Sequence, residues 1–167
     1  MSALLFAAAI AGSPCAGPFS ADAHHIGPVA LNQSVAALRA SSLTIARTVV
    51  TDDCCQHAHY RITVCPGLAI DADADEHDQT LVALSTASAG FVTRNGAHAG
   101  LTVRALKALY PGGKLRYGSG EGLYAAFVAD GLSFALDTAG IPDSCFTAAT
   151  GCDARFADRR SLELDVN

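Results

Sequence analysis

The sequence predicts an α+β fold built as two tandem repeats, each a short helical segment followed by an antiparallel β-meander. Three observations lead there. A capped, helix-like segment occurs twice, as "NQSVAALRA" (Asn32 to Ala40) and "GLTVRALKA" (Gly100 to Ala108), at an offset of 68 residues. Short β-type runs bounded by turn residues follow each copy. Half of the 167 residues are apolar, much of that alanine, with no tryptophan, so the chain has material for one ordinary core or two small half-domains.

Taken in order, residues 1–23 read as a signal peptide. "MSALLFAAAIAG" is too short to span a bilayer but matches a signal-peptide core, although no Lys or Arg precedes it. "ADA", Ala21 to Ala23, supplies small residues for cleavage, which predicts a periplasmic or secreted protein starting near His24. A lipid anchor at Cys15 is the alternative, disfavoured by Pro14 just before it.

The first repeat is placed at 24–92 and the second at 93–167. In the aligned segments Val35 matches Val103, Ala37 Ala105, Leu38 Leu106 and Ala40 Ala108, while Ser34 lies over Thr102 and Arg39 over Lys107. Ser34 and Thr102 are N-cap residues, whose hydroxyls can accept from free N–H groups of the first turn. Val35 with Leu38, and Val103 with Leu106, are three apart and share a helical face, to which Tyr110 adds in the second copy. Pro111-Gly112-Gly113 ends the second helix. After the first helix come "YRITVC", "GLAID" and "TLVALST"; after the second come "GLYAAFVA", "GLSFALD" and "SLELDV". "SAGFVTRNG" reads as the connection between halves, and "TAGIPDSCFTAATGCDARFADRR" as an insertion before the last strand. Neither a short helix nor a short meander buries its apolar face alone, so each pair packs as a two-layer unit.

Of the six cysteines, cleavage after Ala23 would remove Cys15. Export makes disulfides the default. Cys145 and Cys152 flank a short loop and form the best pair; Cys65 is matched with Cys55 or Cys54, leaving one cysteine over. A long-range link from Cys54 or Cys55 to Cys145 or Cys152 stays open. Each short loop closed this way would stabilise by about 2–3 kcal/mol.

Three clusters are tested for chemistry. "CCQHAHY" sets His57, His59 and Cys55 on one strand face, part of a zinc site, but no fourth ligand is in sight and oxidised cysteines do not bind zinc. "DADADEHDQ" alternates Asp71, Asp73 and Asp75 like a calcium loop, yet Glu76 stands where the glycine belongs and Val82 where the bidentate Glu belongs, so it reads as an acidic hairpin turn. "YGSGE" around Ser119 only loosely resembles a nucleophile elbow and reads as a hairpin loop. The expectation is therefore a non-enzymatic protein with no cofactor. Charge is segregated: residues 52–78 hold seven acids and one base, Arg61, whereas residues 79–120 hold five bases and no acid. Such a pattern serves either contact between the two halves or the steering of a charged partner. The net charge of −5 argues against nucleic acid, and no segment is long and apolar enough to span a membrane.

The tandem pattern resembles the β-lactamase inhibitory protein fold, in which each of two repeats lays a helix-loop-helix on a four-stranded sheet; half of that fold recurs in small outer-membrane assembly lipoproteins. The chain is more closely similar to exported Gram-negative bacterial proteins, through "IGPVALNQSVAAL" (Ile26 to Leu38), "CCQHAHYRITV" (Cys54 to Val64), "TRNGAHAGLTVRALKALYP" (Thr93 to Pro111) and "GLSFALD" (Gly131 to Asp137). Asn32 stands where that pattern usually has glycine. The resemblance covers most of the mature chain, rests on turn, cap and core positions, and carries no catalytic residues. It implies a binding protein of the envelope, an inhibitor or immunity protein with a hydrolase or toxin as partner, or alternatively an assembly factor. Arg116, Tyr117 and Tyr124 are the candidate contact residues, because Arg and Tyr concentrate binding energy at interfaces.

Overall fold

The computed structural model describes residues 15, 17–51, 56–119, 122–147 and 152–166. Their elements in chain order are β1 (Phe19–Asp22), β2 (His25–Ile26), β3 (Val29–Ala30), α1 (Val35–Arg39), β4 (Thr44–Thr51), β5 (Gln56–Cys65), β6 (Leu68–Ala74), β7 (Leu81–Thr86), β8 (Phe91–Thr93), α2 (Val103–Leu109), β9 (Lys114–Ser119), β10 (Leu123–Ala129), β11 (Leu132–Leu136), α3 (Ser144–Thr147), α4 (Asp153–Phe156) and β12 (Ser161–Val166). The fold is mostly antiparallel sheet with a few short helices, within the range from α+β to mainly β.

One eight-stranded sheet runs β4-β5-β6-β7-β12-β11-β10-β9, and a four-stranded sheet runs β3-β2-β1-β8. In the large sheet α1 is followed by the meander β4 to β7 and α2 by β9 to β12, and the two meanders meet where β7 pairs antiparallel with β12.

Helices of five and seven residues are far too short to hold themselves in water. Their ends are fixed locally and their faces by packing. Ser34 Oγ accepts from Ala37 N–H at 3.1 Å, and Thr102 Oγ1 accepts from Ala105 N–H at 3.2 Å. The α1 entry is then laced to the start of β7 and the residues just before it, and the α2 entry likewise to β12. Val35 N–H donates to Gln79 O at 2.8 Å, Leu81 N–H to Gln33 O at 3.0 Å and Asn32 N–H to Leu81 O at 2.9 Å; Val103 N–H donates to Arg159 O at 3.0 Å, Ser161 N–H to Leu101 O at 2.8 Å and Gly100 N–H to Ser161 O at 2.9 Å. Asn32 and Gly100 both sit in the left-handed region, with φ of 61° and 94°. Asn tolerates that region best among residues with a Cβ, which is how it replaces glycine there.

A single core fills the space between the inner face of the large sheet and the layer of helices and small sheet. It takes Val35, Leu38, Val103, Leu106 and Tyr110 from the helices, Ile26, Val29 and Phe91 from the small sheet, and Tyr60, Ile62, Ile70, Leu84, Phe127, Phe134 and Leu164 from the large one. Gly113 is fixed by this packing, because the Phe127 ring occupies the space its Cβ would need.

Two expectations change, the partner of Cys65 and the number of strands after α1, and two boundaries set from the sequence meet strands. Phe19–Asp22 belongs to the fold: β1 pairs with β2 and β8, and Ala21 is buried. A cut near Ala23 would separate that strand from β2 and β8. Cys65 is bonded to Cys15, not to Cys55 or Cys54, because β1 brings the start of the fold beside the end of β5; Cys54 and Cys55 lie outside the described residues. The connection between halves contains β8, so a boundary between residues 92 and 93 falls inside a strand. β4 had no counterpart in the expected elements: as an outer strand it lacks the buried alternation that reveals its neighbours. Cys145 and Cys152 are disulfide-bonded, and the insertion that carries them folds as α3 and α4.

Candidate functional site

Residues opposite each other across an antiparallel pair share a face of the sheet. Ala58, Tyr60 and Ile62 of β5 and Ile70, Ala72 and Ala74 of β6 are buried on the inner face, so His57, His59, Arg61, Asp71 and Asp73 point outward. The outer face continues with Ala83 and Ser85 of β7, Glu163 and Asp165 of β12, Ser133 and Ala135 of β11, Ala126 and Val128 of β10, and Lys114 and Arg116 of β9. The described helices contribute to the core on the other side. This face therefore has a floor of small side chains, an acidic and histidine-bearing flank, and a basic flank with Tyr124, which is 55% exposed.

The acidic flank is cross-linked. His59 Nδ1 lies 2.8 Å from Asp73 Oδ1 and its Nε2 3.5 Å from Asp71 Oδ1; His57 Nε2 is 3.6 Å from Asp73 Oδ1. Arg61 donates to both oxygens of Asp71, at 3.0 and 2.8 Å. Ser85 donates to Glu163 at 2.9 Å. Asp165 differs from its neighbours. No described donor hydrogen-bonds its carboxylate, and burial together with the Glu163 charge pushes its pKa up to about 6. It lines a shallow cavity of about 180 Å³ with Asp71, Asp73, Ala83 and Ser85. Register alone brings these together, since Asp71 pairs with Ser85 and Ser85 with Asp165.

Of the sequence candidates, Arg116 and Tyr124 lie on this face, near its β9 edge. Tyr117 does not. Its ring turns inward and stacks on Phe156 with centroids 4.9 Å apart, and its hydroxyl donates to Asp153 at 3.0 Å. His57 and His59 do share the face, but their neighbours are Asp71 and Asp73. Among the described residues no three His, Cys, Asp or Glu side chains could together hold a metal ion. The acidic turn works as a hairpin turn: Asp75 accepts from the N–H groups of His77, Gln79 and Thr80 and from the Thr80 hydroxyl. Cys15, the one candidate for lipid attachment, has its sulfur in the disulfide. Asp165 and Glu163 were missed. "SLELDV" shows their alternation, but only the register of β12 between β7 and β11 sets Asp165 beside the β6 carboxylates.

A larger hollow of about 410 Å³ lies where β1, β8, the end of α2 and the β10–β11 turn meet. Its buried hydroxyl, on Tyr110, already donates to Thr93 Oγ1 at 2.9 Å.

No protein-family model and no curated protein matches this chain. Among solved structures it is similar to the crystal structure of the uncharacterized protein yfeY from Escherichia coli, with a TM-score of 0.63 and 10% sequence identity over 90% of this chain and 99% of that one. At that identity the likeness is one of fold. The two disulfides fit a protein exported to an oxidising compartment. Among the described residues no helix is long and apolar enough to cross a membrane.

Proposed function

We propose that this chain is an exported, non-enzymatic protein-binding module of the bacterial envelope, of the inhibitor or immunity-protein type, and that it presents the outer face of its eight-stranded sheet to a protein partner. We read the fold behind that face as two tandem units, each a capped helix and its meander. The matching hydrogen bonds at Asn32–Val35 and Gly100–Val103 support this reading.

The observation that carries the functional proposal is Asp165. A half-buried carboxylate without a donor, next to a second carboxylate, opposes folding. A partner's Lys or Arg laid on the small-residue floor would supply both the missing donor and the missing charge. Tyr124 and Arg116 would then flank the contact with an exposed ring and a charge of the opposite sign.

The test is capture of partners from envelope extract on immobilised protein, comparing the native chain with Asp165→Asn and Tyr124→Ala. A defined protein bound by the native chain and lost with either variant is the expected result. Capture of nothing, or equal capture by all three, overturns the proposal.

A further inference from the structure

The two outer strands of the large sheet are built differently. β9 carries Lys114, Arg116 and Gly118, and α3 packs beside it. Charges, glycines and covering elements are the usual devices that keep a sheet edge from pairing with another chain. Among the described residues β4 has a single charge and no glycine. It is eight residues long, "TIARTVVT", with five β-branched side chains besides Ile45 and no glycine or proline. Among the described residues only β5 pairs with it. Every residue of it except Ile45 is exposed, including Val49 at 52% and Val50 at 39%. Its one charged side chain is drawn back toward the sheet, because Asp78 of the same chain binds the Arg47 guanidinium, with Nε and a terminal nitrogen each 3.1 Å from Oδ2, and shares that oxygen with Arg39.

We infer that β4 is a homodimerisation edge: two copies pair β4 antiparallel about a two-fold axis at Thr48, joining their eight-stranded sheets into one. The occupant follows from the strand's own pattern. Ile45, Arg47 and Val49 lie on the inner face, opposite Ile62, Tyr60 and Ala58; Ala46, Thr48 and Val50 lie on the outer face, opposite Arg61, His59 and His57. An axis passing between two residues would set inner positions against outer ones and turn the second sheet over. An axis at Arg47 would place two guanidinium groups opposite each other. An axis at Val49 would shorten the ladder to five residues. With the axis at Thr48, seven residues pair. Arg47 faces Val49 of the second copy, Ala46 faces Val50, Ile45 faces Thr51, and Thr48 faces Thr48. Small sits against large, the Asp78-bound Arg47 lays its aliphatic stem on a valine, and no like charges are directly opposed. The strand is thus complementary to itself in face, with its one cation set against a neutral residue. This leaves the outer-face site around Asp165, four strands away in the sheet, open in each copy.

Sedimentation equilibrium of the full chain, from micromolar to near-millimolar concentration, tests the inference with three samples. The native chain is expected to be a monomer–dimer system. Thr48→Lys and Thr48→Glu, each alone, are expected to lose the dimer, because like charges then oppose each other on the axis. An equimolar mixture of the two is expected to regain it as the heterodimer, which also shows that both variants fold. A native chain that stays monomeric throughout, a Thr48→Lys chain that dimerises like the native one, or a mixture that stays monomeric each overturns the inference.

Discussion

The two ends of the large sheet close the same core by different chemistry. At the β4 end the closure is polar. The Tyr60 ring is fully buried, its hydroxyl donates to Asp78 and accepts from Arg39 at 2.7 Å, and the Arg39 guanidinium sits 5.7 Å above the ring centroid. Arg39 and Arg47 both reach Asp78, so one carboxylate ties α1, β4, β5 and the β6–β7 turn together. At the β9 end the closure is aromatic. Tyr117 stacks on Phe156, Phe146 meets Phe156 edge-on at 6.0 Å, and the Cys145–Cys152 bond holds α3 and α4 in place. A polar clasp can sit at a wet edge and leave the strand beside it open. An aromatic plug must be covered, and covering it protects the edge. The α3–α4 segment thus lies at the shielded edge, and β4 at the other end of the sheet is exposed.

That contrast can be broken at either end, and the plug should break hardest. Phe156 is fully buried, so Phe156→Ala should cost about 4 kcal/mol in urea unfolding, the loss typical of a deleted core ring with its cavity. A cost below about 1 kcal/mol would mean that the plug is decoration. Replacing Cys145 and Cys152 together by Ala opens a loop with a sequence separation of 7, for which chain entropy predicts a loss of about 2–3 kcal/mol. A lowered unfolding midpoint that reduction of the native chain reproduces in part is the expected signature.

At the polar end Asp78→Asn should cost about 2 kcal/mol, since hydrogen bonds to a charged group are lost while Arg39 and Arg47 stay close together. Asn suits the left-handed φ of 56° there, so the backbone is not what is tested. Burial pushes the Asp78 carboxyl up, but the Tyr60 hydrogen bond and the charges of Arg47 and Arg39 outweigh it and hold its pKa below the ordinary value. A group with a lowered folded pKa contributes fully above its unfolded pKa, about 4, and loses the contribution as pH falls through the folded value. The native chain and the Asn variant should therefore converge in stability only below about pH 4; a difference already gone at pH 5 would contradict the role given to Asp78.

Midway between the ends, Asp165→Asn should act with the opposite sign. Its pKa of about 6 lies above the unfolded value, so the folded chain holds the proton more tightly. Folding then gains stability as pH falls from about 6 to about 4, and bears the cost of the charge above 6. The Asn variant should be more stable than the native chain at pH 7.5 by about 1 kcal/mol, allowing for solvent reaching the partly exposed carboxylate. The gap should close by pH 4.5, and an Asn variant that is no more stable at pH 7.5 would show that Asp165 is better solvated than its position implies.

Local chemistry was legible in the chain. Ser34 and Thr102 cap their helices, Val35, Leu38, Val103 and Leu106 are the buried faces, and Asp75 closes a turn, all because these features depend on residues within about five positions of one another. The paired cysteines of the insertion belong to the same class. What the sequence could not determine were relations across long separations. "FSAD" looks like the tail of an apolar leader until Phe91 and Thr93 lie parallel to it, and Cys65 has two nearer mates than Cys15, Cys54 and Cys55. "TIARTVVT" reveals nothing as an isolated run, since an edge strand has neither a continuous apolar core nor a clean alternation. Tyr117 and Arg116 are neighbours in sequence and lie on opposite faces of the sheet, so a residue's type said nothing about which side it serves. Asp165 is the sharpest case. Its environment is made by β6, β7 and β11, and its desolvation follows from a register between strands some 80 residues apart. Periodicity determines which way a side chain points relative to its own strand; only the pairing of distant strands decides what it faces.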